Sequence, residues 1–478
     1  MDFKRIFHTL GVVLCFEAIL LIPPLICAII YKETALYGFI ISIVLCLVCG
    51  LPLYFIKPRK ETMYSKEGFA VVALSWIVMS IFGAVPFMLS GTIPNFIHAF
   101  FETASGFTTT GASILKDVEI VPKSVIFWRS FTHWIGGMGV LVFLMAILSM
   151  SGGSNLHLMR AESTGPSVNK LVPKVKSSAK ILYGIYLGLS LILFVLLLAG
   201  GMDFFEAITH TFGTAGTGGF GIKNSSIGDY SPYIQVVITV FMALFGIDFS
   251  VYYLLVLGKF KMMLKSDEVK TYLGILLVST LIICINCVGL FENIWVSLRH
   301  SAFQVASIMT TTGFSTTDFD KFPELSKTIL VLLMFIGACA GSTGGGIKVS
   351  RILIYLKSIK KEISIAAHPK LTKKIQMSGR VIEHETVRSV NVYMYAYIVI
   401  FVLSLLAISF DNLDFTTNFT AVAATLNNIG PGLNQVGPTS NFSMFSDFSI
   451  LVLTFDMLIG RLEIFPMLIL FSPYTWKK

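Results

Sequence analysis

Long apolar segments recur along the whole sequence and limit what it can fold into. A helix needs about 20 predominantly apolar residues to cross the hydrocarbon core of a bilayer. About ten segments meet this requirement, and they are residues 6–31, 35–56, 66–91, 124–149, 178–201, 232–258, 269–291, 326–347, 389–410 and 446–472. Only 13% of the residues are charged, whereas soluble domains carry about 25%. The pattern predicts an all-α polytopic membrane protein that lies in lipid and has no cleaved signal peptide.

The charges between these segments predict the orientation of the chain. Lysine and arginine concentrate at both termini and in four connections, at Lys4, Arg5, Lys57, Arg59, Lys60, Arg160, Lys170, Lys174, Lys176, Lys180, Lys259, Lys261, Lys265, Lys348 to Arg388, Lys477 and Lys478. The opposite connections carry Asp117, Glu119, Asp203, Asp229, Asp318, Asp320, Asp411 and Asp414. Because cytoplasmic loops are enriched in lysine and arginine, we expect both termini in the cytoplasm.

Four shorter, half-apolar segments lie between the long ones. They are residues 95–107, 203–215, 298–310 and 416–427. Each is too short to cross a membrane, each ends in a cluster of glycine, threonine or asparagine, and each lies on the side opposite the basic connections. Re-entrant segments have this length and composition. We therefore expect four short helices that enter the membrane from outside.

The clusters at the ends of these segments align on a glycine. FTTTGAS at 107–113 and MTTTGFS at 309–315 are nearly identical. In the second cluster Gly219 is aligned in preference to Gly218, because Gly219-Phe220 then matches Gly313-Phe314. The aligned triplets are Thr109-Thr110-Gly111, Thr217-Gly218-Gly219, Thr311-Thr312-Gly313 and Asn428-Ile429-Gly430.

The alignment predicts a four-fold internal repeat. Each unit holds a membrane helix, a short helix, a polar loop and a second membrane helix, an M1-P-M2 arrangement. The predicted parts are a two-helix preface at 1–60 and four units at 61–158, 159–264, 265–380 and 381–478. Four similar units with inward loops imply pseudo-four-fold packing around a central pore.

The loops have the chemistry of a cation site. Non-helical backbone at membrane depth is tolerated only where protein or water satisfies it, and carbonyl oxygens on an axis can replace the hydration shell of an ion. Glycine permits the required backbone torsions, and threonine hydroxyls can add oxygen ligands. Oxygen ligands suit an alkali cation but do not choose potassium over sodium. No loop carries the full TVGYG signature, so we expect looser selectivity than in a strict channel filter.

A glycine-rich segment interrupts the second membrane helix of the third unit. We give this name to residues 337–348, GACAGSTGGGIK. Its central residues are poor helix formers, and they are Gly341, Ser342, Thr343, Gly344, Gly345 and Gly346. The segment predicts a gate across the pore, and a glycine kink for helix packing is the alternative. It resembles a phosphate-binding loop, but Ile347 precedes Lys348 and no hydroxyl residue follows, which argues against nucleotide binding.

Arg461 lies within the last predicted span. A charge at membrane depth is costly and usually faces a cavity or a partner. It is expected to project into the pore and repel cations, with Asp248 offsetting its charge. An ion pair with Asp456 or Glu463 is the alternative.

The remaining chemistry argues against an enzyme. The seven cysteines all lie in apolar stretches, and the histidines form no metal-ligand cluster. No nucleophile or acid–base cluster lies at the ends of the spans. A coupled secondary transporter of a small solute remains the alternative to a gated cation conduit, since broken helices also build such sites.

Taken together, the motifs resemble the Trk/Ktr/HKT superfamily of potassium transporters. The resemblance rests on FTTTGAS, GTGGFG, TTTGFSTTD, NNIGPG, GSTGGGIK and the segment around Arg461, and it covers nearly the whole chain. The N-terminal pair of helices and RAESTGP at 160–166 are more similar to the bacterial Trk branch, of TrkH/TrkG type. One departure is the fourth loop, where Asn427, Asn428 and Pro431 replace the threonine chemistry.

The resemblance implies potassium uptake across the bacterial cytoplasmic membrane. It implies that K⁺ is bound by filter residues at Thr110, Gly111, Gly218, Gly219, Thr312, Gly313, Ile429 and Gly430, that residues 341–346 form the gate, and that Arg461 lines the pore. It also implies a homodimer and a cytoplasmic nucleotide-binding regulatory subunit of RCK type, similar to TrkA, that docks on the basic surface Lys348 to Arg388. No organic cofactor and no nucleic acid are expected. The residues leave passive, proton-coupled and sodium-coupled transport open.

Overall fold

The computed structural model describes residues 2–57, 65–139, 175–259, 265–370, 372 and 374–476. Six helices in these ranges are long and apolar enough to cross a membrane, and they are Phe3–Ile30, Leu36–Tyr54, Lys66–Leu89, Lys180–Ala199, Asp267–Leu290 and His384–Asp411. They confirm the predicted all-α polytopic class. The end of the predicted span 124–149 and the RAESTGP stretch lie outside the described residues.

The N-terminal preface contains two spans, the first of which is divided into two helices at Leu21. The helices are α1 (Phe3–Leu20), α2 (Ile22–Ile30) and α3 (Leu36–Tyr54). A Cβ added to Gly11 of α1 would lie 2.8 Å from the carbonyl oxygen of Gly50 in α3. The two glycines therefore allow the helix backbones to approach closely, as is common between membrane helices.

The first unit continues with four helices, α4 (Ser65–Gly83), α5 (Val85–Leu89), α6 (Phe96–Phe107) and α7 (Lys123–Gly137). The second contains α8 (Val175–Ala199), α9 (Phe204–Ala215), α10 (Pro232–Phe245) and α11 (Phe249–Val256). The chain bends by 92° between α10 and α11. The side chain of Asp248 accepts a hydrogen bond from the backbone N–H of Ser250 (2.8 Å) and so caps α11 after the bend.

The third unit contains α12 (Asp267–Cys287), α13 (Ile294–Met309), α14 (Glu324–Ile336) and α15 (Val349–Ala367), with 3₁₀ turns at Val288–Leu290 and Phe319–Lys321. A two-stranded antiparallel hairpin follows, with β1 (Gln376–Met377) paired to β2 (Arg380–Val381). Gln376 lies opposite Val381 in its register.

The fourth unit contains α16 (His384–Ile408), α17 (Phe415–Leu426), α18 (Asp447–Arg461), α19 (Phe465–Phe471) and α20 (Pro473–Trp476). Short 3₁₀ turns lie at Ser409–Asp411 and Asn434–Val436.

Three of the predicted second membrane helices are not continuous. The span predicted at 232–258 bends between α10 and α11, and the one at 326–347 stops at Ile336. The one at 446–472 breaks after Arg461, where Glu463 and Ile464 have φ angles of +55° and +72°. Left-handed torsions cannot continue a right-handed helix, so an apolar window alone overestimates the unbroken length.

The four short helices α6, α9, α13 and α17 lie where the short segments were predicted, and their C-terminal halves lie in the interior. Each begins at a side chain that accepts backbone hydrogen bonds, from Asn95, Asp203, Asn293 and Asp414 respectively. Such N-caps satisfy the first N–H groups of a helix. Every residue of α6 from Ala99 to Phe107 is buried, so the ends of these helices are held within the protein.

Candidate ion-conducting site

The loops after the four short helices have the same backbone conformation. In each, the aligned glycine and the residue two positions before it have positive φ. The glycines have φ of +82° at Gly111, +75° at Gly219, +87° at Gly313 and +98° at Gly430. The earlier residues have φ of +56° at Thr109, +55° at Thr217, +59° at Thr311 and +56° at Asn428. The alignment on Gly219 rather than Gly218 therefore agrees with the torsions.

The same backbone hydrogen bonds tie each loop to its helix. In the first loop the N–H of Thr109 donates to the carbonyl of Gly106 (3.1 Å), and the N–H of Thr110 donates to Ser105 (2.9 Å). The equivalent bonds are Thr217 to Thr214, Gly218 to Gly213, Thr311 to Ile308, Thr312 to Ser307, Asn428 to Thr425 and Ile429 to Ala424. The side chains differ among the four loops, but all four form the same backbone hydrogen bonds.

The four loops meet in a closed ring. Each aligned glycine packs against the carbonyl oxygen of the residue that precedes the glycine of the next loop. The pairs are Gly111 with Gly218, Gly219 with Thr312, Gly313 with Ile429, and Gly430 with Thr110. A Cβ on any of the first three glycines would overlap that oxygen, and on Gly430 it would lie 2.8 Å from it. Close approach of backbones explains why glycine occupies these positions. We call these four loops the ring.

A cavity of about 140 Å³ opens on one side of the ring, and all four glycines lie in its wall. Lys116 and Lys223 also line it. Asp117 lies beside this mouth, where a hydrogen bond from the Asn224 side chain lowers its pKa. Asp117 therefore stays ionised to a lower pH than an ordinary aspartate.

The side chains two positions before the glycines make different contacts. The Thr217 hydroxyl donates to the carbonyl of Gly216 (2.6 Å), and the Thr311 hydroxyl accepts from the backbone N–H of Gly345 (2.6 Å). Asn428 donates to the Thr110 hydroxyl (2.9 Å) and to the Met457 carbonyl (2.8 Å). Asparagine in the fourth loop thus ties that loop to the first.

The glycine-rich segment runs directly against the third and fourth loops. Besides the bond from Gly345, the N–H of Gly346 donates to the carbonyl of Asn427 (3.1 Å). A Cβ on Gly344 would lie 2.8 Å from the carbonyl oxygen of Thr310. Contacts this close place the predicted gate residues next to the ring.

The second unit holds the other side of the same segment. The Thr343 hydroxyl donates to the carbonyl of Phe245 (3.2 Å). The N–H of Cys339 donates to Gly246 (3.1 Å), within the bend between α10 and α11. The carboxylate of Glu268 in α12 accepts from the N–H of Ala340 (2.6 Å). Side chains and loop ends from two units therefore hold a stretch that has no helix of its own.

Arg461 connects three units. From α18 its guanidinium donates to the carbonyl of Thr343 (2.8 Å) in the glycine-rich segment. It also donates to the carbonyls of Gly136 (2.5 Å) and Gly137 (2.9 Å) at the end of α7. Its side chain is buried. Hydrogen bonds to these carbonyl oxygens therefore offset much of the energetic cost of burying the Arg461 charge at this depth.

The acidic residues that the sequence suggested as partners of Arg461 form hydrogen bonds or ion pairs with other residues. Asp456 accepts from the Ser404 hydroxyl (2.6 Å), and Glu463 forms an ion pair with Arg351 (2.5 Å). Asp248 caps α11, as described above, and lies beside Gly341 of the glycine-rich segment.

The sequence reasoning missed two features. Glu102 and Arg129 form a buried ion pair beside the ring (2.6 Å), and a charged residue in the interior of each of two largely apolar helices was the available signal. Lys348, counted with the basic cytoplasmic surface, is 1% exposed, and its ammonium group donates to the Gly344 carbonyl. Its position directly after the glycines could have indicated a role in that segment.

Within the described ranges, no group of three or more histidine, cysteine, aspartate or glutamate residues could hold a metal ion. All seven cysteines are free thiols. The groups around the ring and the glycine-rich segment are carbonyl oxygens, hydroxyl groups and buried charged side chains, among them Arg461, Arg129 and Lys348.

Comparison with known proteins places this geometry in a family. The family model described as TrkH, cation transport protein, matches residues 36–284 and 292–478. The Trk system potassium uptake protein TrkH of Escherichia coli K12 is 36% identical over 489 residues, with 100% of both chains covered. TrkG of the same organism is 31% identical, with 98% of each chain covered.

A solved structure agrees over the whole chain. The crystal structure of the potassium transporter TrkH from Vibrio parahaemolyticus matches with a TM-score of 0.90 and 32% identity, and 100% of both chains is covered. These matches agree with the expectation that the protein transports ions and is not an enzyme. The chain belongs to the TrkH family of cation transport proteins.

Proposed function

We propose that this protein takes up potassium across the bacterial cytoplasmic membrane, with both termini in the cytoplasm, by conducting K⁺ through the ring. One observation carries the proposal: four loops with the same torsions close on one another in cyclic order. Backbone carbonyls gathered in this way can replace the water around an alkali cation. The names of the relatives, which are potassium uptake proteins, support potassium as that cation.

The ion is bound by backbone oxygens of the residues around each glycine. These residues are Thr110, Gly111, Gly218, Gly219, Thr312, Gly313, Ile429 and Gly430. The four short helices end at the ring, and the C-terminal end of a helix dipole favours a cation. The units 61–158, 159–264, 265–380 and 381–478 each supply one such helix and loop.

The glycine-rich segment and Arg461 form the gate. The segment lies against two loops of the ring, and Arg461 holds it to α7 through the carbonyls of Thr343 and Gly136. Opening requires these hydrogen bonds to break, and the left-handed glycines at 337, 341 and 346 provide the torsional freedom. The arginine also places a positive charge on the path of a cation.

We further propose a homodimer with a cytoplasmic RCK-type regulatory subunit that binds nucleotide. The basic stretch from Lys348 to Arg388, apart from the buried Lys348 and Arg351, supplies the docking face, and α15 carries it away from the gate. Because α15 begins one residue after the glycine-rich segment, movement of the helix by a partner is transmitted directly to the gate.

A coupled secondary transporter is the second candidate, favoured by the helix breaks at 246–248 and 337–348. It predicts a pocket for a solute near the membrane midplane, whereas a cation conduit predicts a continuous file of carbonyl oxygens through the ring.

The test is alkali-ion flux in proteoliposomes. Purified protein, with and without a co-purified regulatory subunit, should carry Rb⁺ and K⁺ down their gradients without an added solute. Absence of flux with every alkali ion under both conditions would overturn the proposal. Solute uptake driven by a proton or sodium gradient would favour the second candidate. Growth of a potassium-auxotrophic host with and without the subunit then tests uptake in cells.

A further inference from the structure

A buried ion pair joins the first short helix to the helix that follows it. Glu102 in α6 is 0% exposed and Arg129 in α7 is 3% exposed. Their Oε1 and Nε atoms are 2.6 Å apart. Nine residues before the aligned glycine, where the first unit has Glu102, the other units have His210, Gln304 and Ala421. The four-fold arrangement of the ring therefore does not itself require a carboxylate at this position.

Glu102 holds the chain that leaves the first loop. Its Oε2 accepts from the backbone N–H of Ile114 (2.8 Å), and its Oε1 accepts from the Ser113 hydroxyl (3.0 Å). Ser113 and Ile114 follow Gly111 by two and three residues. One carboxylate thus fixes the exit of the first loop relative to its own helix.

Arg129 holds the chain that leaves the second loop. Its guanidinium donates to the carbonyl of Gly221 (3.1 Å) and lies 3.5 Å from the centre of the Phe220 ring. The N–H of Phe220 donates to Nε2 of His133 (3.3 Å), and Nδ1 of His133 donates to the Gly106 carbonyl (2.8 Å). These contacts place the second loop against α6 and α7 of the first unit.

We propose that Glu102 and Arg129 act as a positioning pair that sets the spacing between the first and second loops and thereby the preference of the ring among alkali cations. The proposal rests on the ring being the ion path. A carbonyl site discriminates between ions through the number and placement of its oxygens, and a binding constellation loses precision when its supporting groups are removed. Burial of a charged pair gives little net stability, so a gain in geometry is the better explanation for it.

The experiment compares K⁺ and Na⁺ flux in proteoliposomes for Glu102→Gln and Arg129→Lys. Glutamine keeps the shape but not the charge, and lysine keeps the charge but not the planar group that reaches both Glu102 and Gly221. We expect the K⁺/Na⁺ flux ratio to fall about fivefold in each, which corresponds to about 1 kcal/mol. Lys327→Gln, which removes an ion pair with Glu324 (2.6 Å) away from the ring, is the control and should keep the wild-type ratio.

Folding is measured on the same samples. A wild-type flux ratio in both variants, with a lowered midpoint of thermal unfolding, would overturn the proposal and leave a pair that only stabilises the fold. If a single variant fails to fold because one charge is left buried, Glu102→Gln/Arg129→Gln removes both charges and decides the matter, since a positioning role predicts a folded protein with poor discrimination. Lack of flux in the wild type would instead refute the proposed function.

Discussion

The ring and the glycine-rich segment are held in place by different kinds of contact. Both are buried backbone without regular structure, and both contain glycines with positive φ. In the ring, each glycine lies against a backbone carbonyl of the next loop. In the glycine-rich segment, side-chain hydrogen bonds do much of the holding. Arg461 and Glu268 bind its backbone from other helices, and its own Thr343 hydroxyl donates to the carbonyl of Phe245.

The difference indicates which part can move. A closed ring of backbone contacts cannot shift at one loop without disturbing the next, because close-packed groups do not deform continuously. Side-chain hydrogen bonds contribute about 1 kcal/mol each and can be exchanged one at a time. We therefore expect substitutions in the ring to reduce ion flux or to alter ion selectivity. Substitutions that remove hydrogen bonds to the glycine-rich segment should increase ion flux.

Gly313→Ser should have the largest effect. A Cβ at Gly313 would overlap the Ile429 carbonyl oxygen and lie 3.0 Å from Cδ of Pro431. Overpacking costs about 1 to 3 kcal/mol, so Rb⁺ flux should fall by about tenfold or more and K⁺/Na⁺ preference should change. Gly91→Ser is the matched control, since Gly91 also has positive φ (+74°) but has nothing within 4 Å of its Cβ position. Equal losses in both variants would show that torsional strain, not contact within the ring, is responsible.

Arg461→Ala should raise K⁺ flux by about fivefold to tenfold. The substitution removes the hydrogen bonds to the carbonyls of Thr343, Gly136 and Gly137, and their loss destabilises the closed arrangement by about 1 kcal/mol or more. Stopped-flow flux in proteoliposomes measures the change. Arg461→Lys separates two mechanisms. A charge barrier keeps the lysine variant slow, whereas a hydrogen-bonded restraint makes it fast as well. Unchanged flux in the alanine variant would refute both.

Thr311→Val should raise flux by a smaller factor, about threefold. It removes the acceptor for the N–H of Gly345, and an unsatisfied buried donor costs about 1 to 3 kcal/mol in the closed arrangement. Thr109→Val is its counterpart in the first loop, where the Thr109 hydroxyl has no hydrogen-bond partner among the described residues. Similar effects of the two variants, measured by Rb⁺ uptake, would mean that these hydroxyls act on the ion and not on the glycine-rich segment.

Asn428→Thr should have the smallest effect. Threonine at this position has the torsions of the other loops, but it loses the bonds to Thr110 and Met457. We expect a change of about twofold in the K⁺/Na⁺ flux ratio, since two side-chain bonds of about 1 kcal/mol brace a loop whose backbone contacts remain. A tenfold change would show that side chains, and not the shared backbone, set the geometry of the fourth loop.

Much of the fold could be predicted because its signals are local. Apolar length predicted the membrane class, and the TTTG, TGG and NIG clusters predicted the positions of the loops, including the choice of Gly219. The breaks in the second membrane helices were predicted only at the glycine-rich segment. At Glu463 and Ile464 the backbone turns left-handed in residues that do not signal it, and Glu463 is there paired with Arg351 of the third unit.

The sequence by itself determined that the chain would be helical and membrane-embedded and would return four times to the same turn, because hydrophobicity and glycine torsions are properties of short stretches. Only the tertiary structure decided the partners. It placed Arg461 on carbonyls of the first and third units, Glu463 on Arg351, and Glu102 beside Arg129. Buried charges bind whichever polar groups the packing of distant helices brings within reach, and no local pattern records that choice.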